Sequence, residues 1–187
     1  SQQNSFQRST FASRSNNIIV VRLKGRKKLS AKFSFEGLKP KDDAEKKIVE
    51  EGIKSKDEGV KDGLLYFYTI FANPNFSNPN LGYEGVGKVI TNGGTRTELE
   101  NRISVADADE ILLIIKIRPI LKTDTVRTNF KEMVAELNGL EPDYEQLLEP
   151  HAKIHGDLMS RVSFRLDATE ENRAMPNEEL IKLTKKK

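Results

Sequence analysis

The chain has 187 residues and no cysteine, and its net charge is +3. That length makes one domain, or one domain with tails. The missing cysteines exclude disulfides, thiolate metal sites and cysteine nucleophiles together. No apolar run reaches the roughly 18 residues of a membrane span. The expectation is a protein of a reducing compartment, cytoplasm or nucleus by default, not one exported along a disulfide-forming route.

Charge is unevenly spread. Residues 1–35 hold four arginines, four lysines and no acid, a charge of +8, which leaves −5 for Glu36–Lys187. A basic leading segment on a mildly acidic body points to contact with a polyanion.

Residues 1–16 are rich in Ser, Gln, Asn and Arg, with only Phe6, Phe11 and Ala12 apolar. They read as a flexible polar and basic arm. They lack the apolar stretch of a secretory signal, although an Arg-bearing, acid-free, Ser-rich stretch also fits a transit peptide. Residues 17–24, NIIVVRLK, are β-branched and predict a strand with Ile19, Val21 and Leu23 on one face and Arg22 and Lys24 on the other. GRKK then reads as a basic turn. LSAKFSFEG alternates Leu29, Ala31, Phe33 and Phe35 with polar residues, the mark of a half-buried strand. The pair predicts a hairpin with Arg26, Lys27 and Lys28 at its tip.

Pro40, Asp42 and Asp43 open a short surface helix that Gly52 closes, with Ala44, Ile48 and Val49 available to pack. GIKSKDEGVKDG reads as a loop. LLYFYTIFA (64–72) predicts a central strand. The two Asn-Pro-Asn units of residues 73–82 predict a rigid turn-rich loop. Two runs, 84–91 and 95–105, flank Asn92-Gly93-Gly94, a hairpin signal. Asp107, Asp109 and Glu110 lack the glycine and the distal glutamate of a calcium loop and read as a turn before the buried strand 111–121, with Pro119 at its end or on an edge. Val126, Phe130, Met133, Val134 and Leu137 stand at helical spacing, closed by Gly139. Residues 142–155 predict one or two short helical pieces interrupted at Pro150. Residues 158–167 alternate as a strand with Arg161 and Arg165 outward. A charged tail or short helix follows from residue 168.

The fold expected is α+β and β-rich: an antiparallel sheet or jelly-roll-like sandwich with a few short helices and a flexible basic N-terminal arm. The domain division expected is an arm at 1–16, one β-rich domain at 17–167 and a tail at 168–187. Neighbouring strands joined by tight turns favour antiparallel pairing, and helices do not alternate with strands as a parallel sheet requires.

Motifs for catalysis are thin. GYEGVGKV (82–89) has the spacing of a phosphate loop, but Val89 replaces the magnesium-holding Ser/Thr and no helix follows. It reads as a strand with glycines at close approaches and Lys88 exposed. His151 and His155 share a helix face at a spacing that can bind zinc, yet no third ligand is specified, and they read as surface histidines. No serine stands in a nucleophile elbow. No enzyme and no cofactor are expected.

The basic residues agree better with one another. The residues expected to meet nucleic acid, RNA favoured, are Arg8, Arg14, Arg22, Lys24, Arg26, Lys27, Lys28, Lys32, Arg161 and Arg165; such cations give sequence-independent, salt-sensitive binding. A basic arm, a cysteine-free β-rich body and a charged tail resemble, in style, small viral structural proteins of the capsid, nucleocapsid or matrix kind. The expected partners are nucleic acid and further copies of the chain. The reading from a different class is a monomeric protein- or membrane-interaction module, such as a movement, regulatory or adaptor protein.

Overall fold

A computed structural model describes residues 6–37, 39–72, 80–122, 126–163 and 169–184. The chain divides into two compact units, Ser1–Ile154 and His155–Lys187.

The first unit is built on one seven-stranded antiparallel sheet. Its strands are β1 (Phe6–Ser13), β2 (Ile18–Phe33), β3 (Ile53–Lys61), β4 (Leu64–Phe71), β5 (Gly82–Asn92), β6 (Thr95–Leu99) and β7 (Arg102–Ile120). Their order is β1-β2-β7-β5-β4-β3, with β6 also paired to β7. Three helices accompany the sheet: α1 (Asp43–Gly52), α2 (Val126–Asn138) and α3 (Tyr144–Ser160), the last reaching into the second unit.

β7 is the central member. It pairs with β2 on one side and with β5 and then β6 on the other. β5 and β6 therefore lie end to end along the same flank of β7. Asn92-Gly93-Gly94 is not a hairpin turn but the kink between them. Asn92 sits opposite Glu110 and Thr95 opposite Ala106, so three steps on one side match four on β7. The hairpin that returns the chain is Glu100–Asn101, between the paired Leu99 and Arg102. Neither turn residue has a left-handed backbone, so no Gly or Asn-Gly signal marks it.

The same transverse line interrupts all three strands. On β2, the five steps from Lys24 to Leu29 match only two on β7, from Glu110 to Ala108. Residues 25–28 therefore bulge from the β2–β7 ladder within one continuous 16-residue strand, which corrects the predicted hairpin. On β7, Asp107 takes a left-handed conformation (φ 57°) and donates its N–H to Ser30 Oγ at 3.3 Å. Bulges aligned across a sheet bend it and raise its twist. Asp107, Asp109 and Glu110 thus lie inside a strand, at its bend, and not in a turn before it.

Each face of the sheet carries an apolar core. On one, α2 and the start of α3 cover Phe11, Ile18, Val20, Val86, Leu112 and Ile114 with Met133, Leu137, Tyr144 and Leu147. The helical spacing read for α2 is the packed stripe: Met133 and Leu137 are fully buried, and Phe130 and Val134 lie against the cluster. On the other face, the bend brings the far ends of β2 and β7 over β4 and β5. Leu65, Val89, Ile103, Val105, Ala108 and Ile111 form the core there. The Phe35 ring meets that of Phe67 edge-on at 4.9 Å, and Val60 N–H reaches Glu100 C=O at 3.0 Å.

Other expectations change for local reasons. Residues 6–13, read as part of a flexible arm, form β1, because Phe11 is buried against Tyr144 and His151. IKSKDEGVK forms edge strand β3, joined to β4 through Asp62 (φ 51°) and Gly63 (φ 78°), the paired positive φ values of a type I′ turn. α1 begins where read: Asp42 Oδ1 accepts from Glu45 N–H at 2.8 Å. Its Ile48 is left 69% exposed, so little of it packs. α3 is one helix through Pro150, capped by Asp143 Oδ1 accepting from Gln146 N–H at 2.8 Å. Pro119 lies past the last β2–β7 pair, Ile19–Ile115, where β7 has β5 alone beside it and a missing N–H is tolerated. The Asn-Pro loop of 73–79 falls outside the described residues.

In the second unit, residues 158–160 end α3 as helix where a strand was expected, and α4 (Glu170–Ala174) and α5 (Asn177–Thr184) follow. None of its described residues is buried. Among the described residues, no helix is long and apolar enough to cross a membrane.

The bend makes a prediction. Gly94 has φ 72°, and a Cβ there would strike the Ala106 carbonyl oxygen and the Ala108 nitrogen. Gly94→Ala should cost more than about 1 kcal/mol. Urea unfolding reads it, and an unchanged midpoint would sink the account of the kink.

Candidate functional site

The structure scatters the predicted basic residues over different surfaces. Arg8 is exposed on β1 opposite Leu23, on the face away from α2. Arg14 is exposed in the β1–β2 turn. Arg22 and Lys24 point to the helix face. There the Arg22 guanidinium lies 3.7 Å over the Tyr144 ring and 2.8 Å from Glu145, with only 17% of its side chain exposed. It is a packing group between sheet and α3. Lys24 faces Glu110 at 3.6 Å, and Lys28 reaches Asp109 at 2.7 Å across the bend. Arg161 follows α3 and pairs with Asp157 at 2.5 Å, so no strand presents it. Arg165 lies outside the described residues.

What the fold does bring together is a shorter run. Arg26, Lys27 and Lys28 project on the β2 bulge, and the strand continues from it through Ser30 to Lys32. Lys32 is paired to Ser104, and Ser104 to Thr97. A shallow surface of about 520 Å³ there is lined by Ser30, Lys32, Thr95, Thr97, Ser104 and Ala106 among others, and no carboxylate lines it. Hydroxyls beside cations suit phosphate oxygens, because the hydroxyl donates while the ammonium neutralises. Sequence reading found the cations but could not see the hydroxyls of β6 and β7, which join them only through strand pairing.

A second charged group escaped the sequence reading. Along the helix-facing side of β7, the apolar Leu112 and Ile114 give way to Lys116 and Arg118, and the facing β5 positions are Val86 and Glu84. α2 closes over them. Lys116, only 6% exposed, contacts Glu136 at 2.5 Å and donates to Asn16 C=O at 3.0 Å. Arg118 pairs with both Glu132 and Glu136. Glu84, 2% exposed, accepts from Asn129 Nδ2 at 2.5 Å. Burial pushes the Glu84 carboxyl above its usual range, whereas the Lys116 ammonium beside Glu136 holds that carboxyl below it. The available signal was the period-2 row Leu112-Ile114-Lys116-Arg118, in which an apolar face turns cationic before the strand ends. A fully satisfied network of this kind fixes the seating of a helix on a sheet.

GYEGVGKV is a strand in the sheet interior. Gly85 and Gly87 face the rings of Phe67 and Phe35; a Cβ at Gly85 would strike the Phe67 ring, and one at Gly87 would be tight against Phe35. Lys88 is half-buried where the sequence suggested an exposed cation, and its Nζ donates to Asn138 Oδ1 at 3.0 Å. It borders a groove of about 580 Å³ beside α2 with Arg96, Glu98, Asp62 and Phe130, a lining of mixed charge. His151 stacks on Phe11 with ring centroids 5.2 Å apart. Among the described residues, no group of three or more His, Asp or Glu is placed to hold a metal ion. No protein-family model matches this chain, and no curated protein matches it.

The charged network predicts a pH signature. The folded state keeps the Glu84 proton to higher pH than the unfolded chain does. The stability tied to its neutral form is full below the unfolded carboxyl pKa and is lost as pH rises through the folded one. Glu136 acts oppositely, its contribution fading as pH falls through its lowered value. Glu84→Gln should therefore flatten the decline in Tm as pH rises from the ordinary carboxyl range towards neutrality and above. Thermal melts across that range test it, and parallel wild-type and variant curves count against the buried carboxyl.

Proposed function

We propose that this chain is a non-enzymatic structural protein of the viral capsid, nucleocapsid or matrix kind, which assembles with further copies and contacts RNA through its basic N-terminal segment. The observation that carries this reading is the run Arg26–Lys32 on β2. Three successive cations stand on a bulge that pairing with β7 cannot absorb, and the strand continues into a carboxylate-free surface of hydroxyls and Lys32. Contact there is with the phosphate backbone and carries no base readout. Asp109 and Glu110 hold Lys28 and Lys24 in place and moderate the local charge, so binding is weak and sensitive to salt.

The basic segment acts here as strands β1 and β2 more than as a free arm. For the finer fold we favour a jelly-roll-like arrangement. Its support is that β2 lies beside β7 while the chain leaves β2 through α1 for β3 at the far edge, and that the sheet bends over its own second core.

RNA affinity measured against salt tests the reading. Replacing Arg26, Lys27 and Lys28 by Ser should lower the log–log salt slope by roughly 2, at about 0.7 per phosphate contact on single strands. An unchanged slope moves the contact off the bulge. Light scattering at low and high salt, with and without RNA, supplies the second arm. A strict monomer with no RNA shift at low salt sinks the proposal and leaves the monomeric interaction module as the better account.

A further inference from the structure

The two strands that end the sheet are guarded unequally. β3 carries Lys54, Lys56, Asp57, Glu58 and Lys61, its register shifts between Ile53 and Ser55, and its Val60 N–H is taken by Glu100. Charges, irregular register and cover are the devices that stop a sheet from adding strands. β1 is nearly without them. Phe6–Ser13 pairs with Ile18–Gly25 in one unbroken register, and Arg8 is its single charge. Among the described residues, no strand pairs with its outer edge. Its outward N–H and C=O groups form a template for another extended strand.

We propose that the strand added to β1 is β1 of a second copy, antiparallel across a two-fold axis, so that two sheets continue as one. This rests on the self-assembly reading above and names its contact. The choice of occupant follows from symmetry and charge. An axis perpendicular to the sheet keeps both α2 faces on the same side, so residues of equal parity oppose one another. Centred on Ser9, it sets Arg8 against the partner's Thr10 and Gln7 against the partner's Phe11. Centred on Thr10, it sets Arg8 against the partner's Ala12 and Ser9 against the partner's Phe11. Neither register brings the two arginines together. Joining β1 to β3 of another copy is head-to-tail and repeats into a ring or a filament, and the charges of β3 oppose it. One open edge and one guarded edge give a closed pair and not a fibre.

The cysteine-free chain supplies its own reporter. Opposed residues of an antiparallel pair have Cα atoms about 4.5–5.5 Å apart, within reach of a disulfide. Ser9→Cys, Thr10→Cys and, on the other edge, Lys56→Cys are oxidised in parallel after circular dichroism has checked their folding. The β1 variant at the two-fold should give about tenfold more linked dimer than Lys56→Cys, and Thr10→Lys, which opposes like charges in either register, should weaken wild-type dimerisation by about tenfold in sedimentation. An assembling protein whose β1 variants crosslink no better than Lys56→Cys, or that tolerates Thr10→Lys, overturns the edge contact and leaves assembly standing. A wild-type chain that stays monomeric up to about 200 µM, a range in which small interfaces still form, overturns both.

Discussion

The pairing of β7 on both of its flanks is the constraint from which the rest follows. Nineteen residues of one strand hold β2 on one side and β5 with β6 on the other. Those long neighbours cannot keep a single register along it. The mismatches collect at one line, where Asp107 turns left-handed, Gly93 and Gly94 kink, and residues 25–28 bulge. A twisted ladder relieves strain by inserting residues in this way. The bend then lets one sheet bury two cores, one beneath α2 and α3 and one inside its own curl.

That line also sets the electrostatics. The bulge that relieves β2 is the segment GRKK, so the cations stand exposed where the ladder with β7 is interrupted. Asp109 and Glu110 belong to the same bend and meet Lys28 and Lys24 there. Exposed pairs of this kind contribute little stability, and their effect is to order the bulge and trim its charge. The larger electrostatic investment lies under α2. Lys116 and Glu84 are buried there at the end of an otherwise apolar face, with Arg118 half-buried beside them, and Glu132, Glu136 and Asn129 answer them. Removing one member would leave its partner uncompensated, which ties the seat of α2 to the far ends of β5 and β7.

Much of this was legible where the signal is local. The Asp42 cap of α1 was read from residue types next to one another, and so was the helical stripe Phe130-Met133-Val134-Leu137. LLYFYTIFA reads as an interior strand and is one, between β3 and β5. The failures share a cause. Asn92-Gly93-Gly94 carries the composition of a hairpin turn, yet it serves a kink, because β6 finds its partner in β7 and not in β5. Glu100–Asn101 turns the chain without any left-handed residue. GRKK looks like a tip until the long β7 is present to hold both halves of β2 in line. Residues 6–13 look solvated until α3 lies against Phe11.

By itself the sequence determined the class of the protein: β-rich, cysteine-free, antiparallel, with short helices and a basic leading segment. Strand propensity, period-2 alternation, capping and net charge each depend on residues a few positions apart. Only the tertiary structure decided which turns are turns, which strands are continuous, and which cations stand together. Register is set by partners up to about a hundred residues away, as Ile19 is by Ile115, and a shift of one residue exchanges the two faces of a strand. The gathering of Arg26–Lys32 with Thr97 and Ser104, and the burial of Lys116 and Glu84, are products of that long-range pairing.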